Sequence, residues 1–190
     1  PYGSLEMNLP GKGIWLVKGP NGSGKSTLFS ILNGRRLSSA RILQDANPNP
    51  LSRETLLRLT GWCPQMYLPL SDSLRELLDM IPEGTLDADR LQICLTGFGV
   101  DSNLLDRPLN ELSGGQQKKI ALALALSKES GLLLLDEPEA SLDEPGLECL
   151  RKLLKRESHP VLLVTHTPLY DDLASGSIYV KGGLVHVQEK

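Results

Sequence analysis

The sequence predicts an α/β fold with a mainly parallel sheet, and three observations support this. Ile14 to Val17, Leu132 to Leu135 and Val161 to Val164 are continuous apolar runs of strand length, without the polar alternation of a half-exposed strand. Stretches with helical spacing lie between them, so the chain repeats strand and helix. The runs end in polar clusters, and in parallel sheets ligands gather at the carboxyl ends of strands.

Gly19-Pro20-Asn21-Gly22-Ser23-Gly24-Lys25-Ser26-Thr27 follows the first run. Its three glycines let the backbone turn N–H groups toward a bound phosphate. Lys25 adds a point charge, and Ser26 a hydroxyl suited to magnesium. A strand precedes the loop, and Ser26 to Asn33 reads as a helix closed by Gly34. A helix start aimed at the loop adds free N–H groups and partial positive charge. The context is that of a nucleotide triphosphate site.

Before the loop, the Leu5-Met7-Leu9 alternation predicts one edge strand ending at Pro10-Gly11. After it come a short strand at Arg41 to Leu43, a loop rich in Asn and Pro, and a helix over Arg53 to Leu59. Gly61 to Gln65 reads as a strand closing on proline, followed by Leu74, Leu77, Leu78 and Ile81 at helical intervals. Thr85 to Gly99 continues in that style. A helical insertion over about residues 71–130, inside a single domain spanning 1–190, is expected.

Ser113 is placed as N-cap of a long helix with Ile120, Ala121, Leu124 and Ala125 on one side. A serine and two glycines at that helix mouth make a second potential anion site. The strand Leu132 to Leu135 ends in Asp136-Glu137-Pro138, a helix follows over 145–157, and Thr165-His166 closes the strand Val161 to Val164. Ile178 to Val180 and Leu184 to Val187 form a terminal hairpin about Lys181-Gly182-Gly183.

Composition bounds the function. The 190 residues are 40% hydrophobic and 23% charged, ordinary for a globular domain with a sizeable core. A net charge of −3 gives no basic field for nucleic acid or anionic lipid. Cys63, Cys94 and Cys149 are scattered, which signals neither a disulfide framework nor a zinc site. They read as small hydrophobes, and Trp15 and Trp62 as core residues.

Asp136 can hold magnesium, while Glu137 can point at the attacking water and take part of its proton. His166 can hydrogen-bond a γ-phosphate. Gln65 is weak evidence alone, His159 and His186 read as surface or structural residues, and Lys118 and Lys119 as a solvated face.

Together these residues resemble the nucleotide-binding domain of ATP-binding cassette (ABC) proteins. Leu112-Ser113-Gly114-Gly115-Gln116 carries the resemblance, since that pentapeptide between a phosphate loop and an acidic strand end is the family signature. Gln65 matches the Q-loop glutamine, Leu132 to Glu137 the Walker B strand, Ser141-Leu142-Asp143 the D-loop, and His166 the switch histidine. Lys119 and Leu124 stand where the family often has arginines, and Tyr2 lies nearer the loop than the usual adenine-stacking aromatic.

The resemblance implies a P-loop NTPase fold with a small N-terminal antiparallel β part and the helical insertion. It implies ATP and Mg²⁺ as cofactors, with Ser26, Gln65 and Asp136 toward the metal and Glu137, His166 and Gln65 in catalysis. Residues 19–27, Ser113, Gly114, Gly115, Gln116 and Asp143 would contact nucleotide. The implied partners are a second ABC ATPase copy, identical or not, sandwiching ATP between loop and signature, and a transmembrane transporter part met at its cytosolic face. Family members acting in DNA repair, chromosome maintenance or translation form the alternative.

Overall fold

The computed structural model describes residues 6–8, 11–36, 41–43, 51–65, 73–79, 81, 83–182 and 184–190. Tyr2, the weak adenine candidate, falls outside them. Chain contacts divide the protein into two units. The first comprises residues 1–62, 130–136 and 157–190, and the second 63–129 and 137–156.

The first unit is built on a six-stranded sheet. In chain order its strands are β2 (Ile14–Lys18), β4 (Thr60–Cys63), β5 (Leu132–Asp136), β6 (Val161–Val164), β7 (Ala174–Lys181) and β8 (Leu184–Glu189), while β1 (Glu6–Asn8) and β3 (Arg41–Leu43) form a separate pair. Across the sheet the order is β4-β5-β6-β2-β7-β8. The pairs β5/β6, β6/β2 and β2/β7 are parallel, and only the hairpin β7/β8 is antiparallel among these. The ends of β2, β5 and β6 therefore open on one edge, which the apolar runs demand because every side chain of β5 and β6 is buried.

The N-terminal part departs from expectation. β1 and β3 pair in parallel, Glu6 opposite Arg41 and Asn8 opposite Leu43, where an antiparallel part was expected. The chain between them contains β2 and the phosphate-loop helix, and a crossover of that length joins parallel strands rather than a tight hairpin. Helix α1 (Lys25–Leu32) lays Leu28, Phe29 and Leu32 into a core with Trp15, Val17, Leu134, Leu162, Val164 and Ile178. Helix α2 (Arg53–Leu59) adds Leu56, its start capped by Ser52.

The second unit is helical, with α3 (Leu74–Asp79), α4 (Ala88–Gly97), α5 (Gly114–Ser127) and α6 (Glu144–Lys155). Helix α5 is buried on nearly every side: Leu122, Ala123 and Leu126 are covered as well as Ile120, Ala121 and Ala125, and Leu124 is only half-buried. The expected one-sided stripe is thus a central core helix, and α4 packs on both α5 and α6. Cys94 lies fully buried in this core, with Ser127 Oγ 3.9 Å from its sulfur. No helix among the described residues is long and apolar enough to cross a membrane.

Candidate functional site

In the first unit the chain leaves β2 and turns through the loop, where the Ser23 N–H donates to the Pro20 carbonyl at 3.1 Å. Gly22 (φ 75°) and Gly24 (φ 104°) take left-handed backbone that side chains disfavour. Gly19 is required for a different reason. A Cβ there would lie 2.3 Å from the Val180 carbonyl oxygen and 2.7 Å from Ser23 Oγ. Gly24 then begins α1 without any side-chain cap, so the first-turn amides remain for an anion.

Lys25 folds back along the loop, its Nζ donating to the carbonyls of Gly19 at 2.9 Å and Pro20 at 3.2 Å. Ser26 Oγ donates to the Asp136 carboxylate at 3.1 Å, bridging 110 residues of sequence. Asp136 is only 4% exposed, so this carboxylate is removed from bulk water. One hydroxyl and one carboxylate are oxygen donors of the kind a hard cation such as Mg²⁺ takes, with phosphate oxygens completing its shell. The donor set therefore fits the implied metal.

His166 follows β6 and is exposed. It lines a cavity of about 300 Å³ together with Gly19, Lys25, Thr165 and Asp171. Its loop is braced locally: the Thr167 N–H donates to Thr165 Oγ1 at 3.2 Å, and Thr167 Oγ1 accepts from the Leu169 N–H at 3.4 Å. His159 and His186, by contrast, are exposed residues elsewhere.

In the second unit, Gln65 Nε2 donates to Glu137 Oε2 at 2.9 Å across 72 residues. Glu137 is the only non-glycine residue with positive φ among the described residues, at 48°. Held left-handed backbone of this kind stores on the order of 1–3 kcal/mol of strain. Pro138 follows and opens the 3₁₀ turn Pro138–Ser141. Asp143 then caps α6, its Oδ1 accepting from the Gly146 N–H at 3.2 Å.

The signature begins α5 with a complete capping box. Ser113 Oγ accepts from the Gln116 N–H at 3.3 Å, and Gln116 Oε1 accepts from the Ser113 N–H at 2.9 Å. Gln116, expected at the nucleotide, also closes this helix start. Gly114 and Gly115 are exposed, and a Cβ on Gly114 would meet nothing within 4 Å.

Lys118 departs from expectation. It is 5% exposed rather than part of a solvated face, and its Nζ donates to the Pro64 carbonyl and, at 3.3 Å, to that of Gln65. The signal was its position one turn before Ala121 and Leu122, in line with the buried side of α5. Next to it Gln117 is buried too, its Nε2 donating to the carbonyls of Leu109 at 2.8 Å and Leu112 at 3.1 Å.

The sequence profile of the ABC transporter family matches residues 2–140. The chain belongs to this family. It is 35% identical over 164 residues to the cobalt import ATP-binding protein CbiO of Rhodobacter capsulatus, covering 79% of this chain and 57% of that relative. The domain thus spans well under two thirds of that relative's length. Among solved structures, cbiO1 from Clostridium perfringens, part of the ABC transporter complex cbiONQ, aligns with TM-score 0.68 and 30% identity over 96% of this chain and 79% of that one. MJ0796, a bacterial ABC transporter cassette solved as a dimer, aligns with TM-score 0.68 and 25% identity over 96% and 88%.

Proposed function

We propose that this ABC domain hydrolyses ATP to ADP and phosphate and powers a membrane transporter from its cytosolic face, through ATP-driven pairing with a second ABC ATPase copy. The observation that carries the reading is the approach of Ser26 to Asp136, which joins the phosphate loop to the acidic strand end at 3.1 Å. Family membership and the dimeric MJ0796 cassette support the pairing. The import and transport roles of the relatives support the transporter.

Lys25 and the loop amides of residues 19–27 bind the β- and γ-phosphates, Lys25 exchanging its loop carbonyls for phosphate oxygens. Ser26 and Asp136 would hold the metal. Bound Mg²⁺ would neutralise charge developing on the transferred phosphoryl group. Gln65 is carried as a further metal contact by the resemblance alone. Glu137 orients the attacking water and accepts its proton, and the Gln65 amide holds its carboxylate in place. His166, in the cavity it shares with Lys25, donates to the γ-phosphate.

Ser113, Gly114 and Gly115 face the nucleotide of the second copy. Nothing in this chain crowds a Cβ at Gly114, so the need for glycine lies in what docks there. Asp143, the cap of α6, is the further nucleotide contact that the resemblance implies. The deciding experiment is Glu137→Gln. Nucleotide affinity should stay within about twofold while phosphate release falls by about 10²–10⁴-fold and an ATP-bound dimer accumulates. Phosphate release at the wild-type rate refutes the role of Glu137.

A further inference from the structure

We propose that Lys118 is a positioning residue that sets the Gln65 side chain against Glu137. Gln65 is exposed, so packing does not hold its amide in place, and a free glutamine side chain would spread over many rotamers. Its backbone is where precision can enter. The Lys118 ammonium supplies it by gripping two successive carbonyls, those of Pro64 and Gln65, from one buried point. Lys118 is 5% exposed, and drawing its ammonium out of water is costly unless oxygen acceptors replace the water, as these carbonyls do. Pro64 has no N–H, so a strand partner can hold it only through its carbonyl, the group Lys118 occupies.

The grip also links two parts of the chain. Lys118 stands five residues after Ser113 on the rigid helix α5, whose mouth carries the signature glycines. That helix thereby reaches the backbone of Gln65, and Gln65 reaches the Glu137 carboxylate at 2.9 Å. The role rests on the reading in which Glu137 serves hydrolysis.

The test uses the full chain with magnesium and ATP, and two readouts. Lys118→Met should lower kcat about tenfold while KM for ATP stays within about twofold. The Gln65 side-chain amide resonance, assigned with Gln65→Ala, should move toward that of a free glutamine. Lys118→Arg, which retains donors on a long stem, should recover most of both. In a Gln65→Ala background Lys118→Met should add almost no further loss, because it acts through Gln65.

An unmoved Gln65 resonance in folded Lys118→Met overturns the proposal, as does a tenfold loss that persists in the Gln65→Ala background. If Lys118→Met does not fold, Lys118→Gln, too short to span both carbonyls, is read by the same two measures. Wild-type turnover in Gln65→Ala would instead refute the catalytic use of Gln65, and the resonance would still decide whether Lys118 positions it.

Discussion

The two helix mouths of this protein, at Gly24 and at Ser113, are both glycine-rich and yet differently made. α1 starts without a side-chain cap, and its loop is shaped by crowding within the chain, with Gly19 against Val180 and Ser23. α5 starts with a closed capping box, and its glycines face open space. An uncapped helix start inside a tight loop leaves its amides for an anion, whereas a capped start beside two glycines that nothing crowds leaves room for the second copy that the proposed function requires. On the proposed reading, one mouth binds nucleotide within its own chain and the other completes a site on a second copy.

Four measurements put this contrast to the test. The largest expected effect is that of Ser113→Arg, which should abolish the ATP-dependent dimer in size-exclusion runs while a fluorescent ATP analogue still binds each copy; a persisting dimer sinks the sandwich arrangement. Lys25→Ala should weaken that analogue about 100-fold, as the loss of a charge-assisted phosphate contact does, without touching the fold. Unaltered affinity would take the loop out of nucleotide binding.

The glycines themselves provide a third comparison. Gly19→Ala should cost about 1–3 kcal/mol of stability, because a Cβ would collide with a backbone oxygen that cannot yield. Gly114→Ala should leave the thermal midpoint unchanged or slightly raised, since the space is open and alanine narrows the unfolded ensemble. Equal destabilisation by the two would erase the distinction.

The smallest effect is confined to the helical unit. Burial pushes the Cys94 thiol from its ordinary 9.0 up to about 11. The unfolded thiol loses its proton first, so this contribution is whole below pH 9 and is lost as pH rises through about 11. Denaturant midpoints from pH 8 to 11 should show that alkaline decline in the wild type and less of it in Cys94→Ala.

Local signals were read well where chemistry is carried by neighbours in sequence. The phosphate loop, the buried strands β5 and β6, the strand at Arg41–Leu43, helix α2 and the Ser113 cap were all legible. Periodicity and capping act over one or two turns, so no distant residue is needed to read them. The burial of Lys118 is not legible locally, for the complementary reason. Beside Lys119 the side chain looks solvated, and only the fold places carbonyl oxygens around its ammonium.

The family, most of the elements and the phosphate-loop motif on which the binding proposal rests are legible in the chain alone, because each depends on spacing along it. Tertiary structure alone decided the parallel pairing of β1 with β3, the strand order, the contact of Ser26 with Asp136 across 110 residues and that of Gln65 with Glu137 across 72. Side-chain type states what a group can bond, but which partner it meets follows from how the buried faces pack.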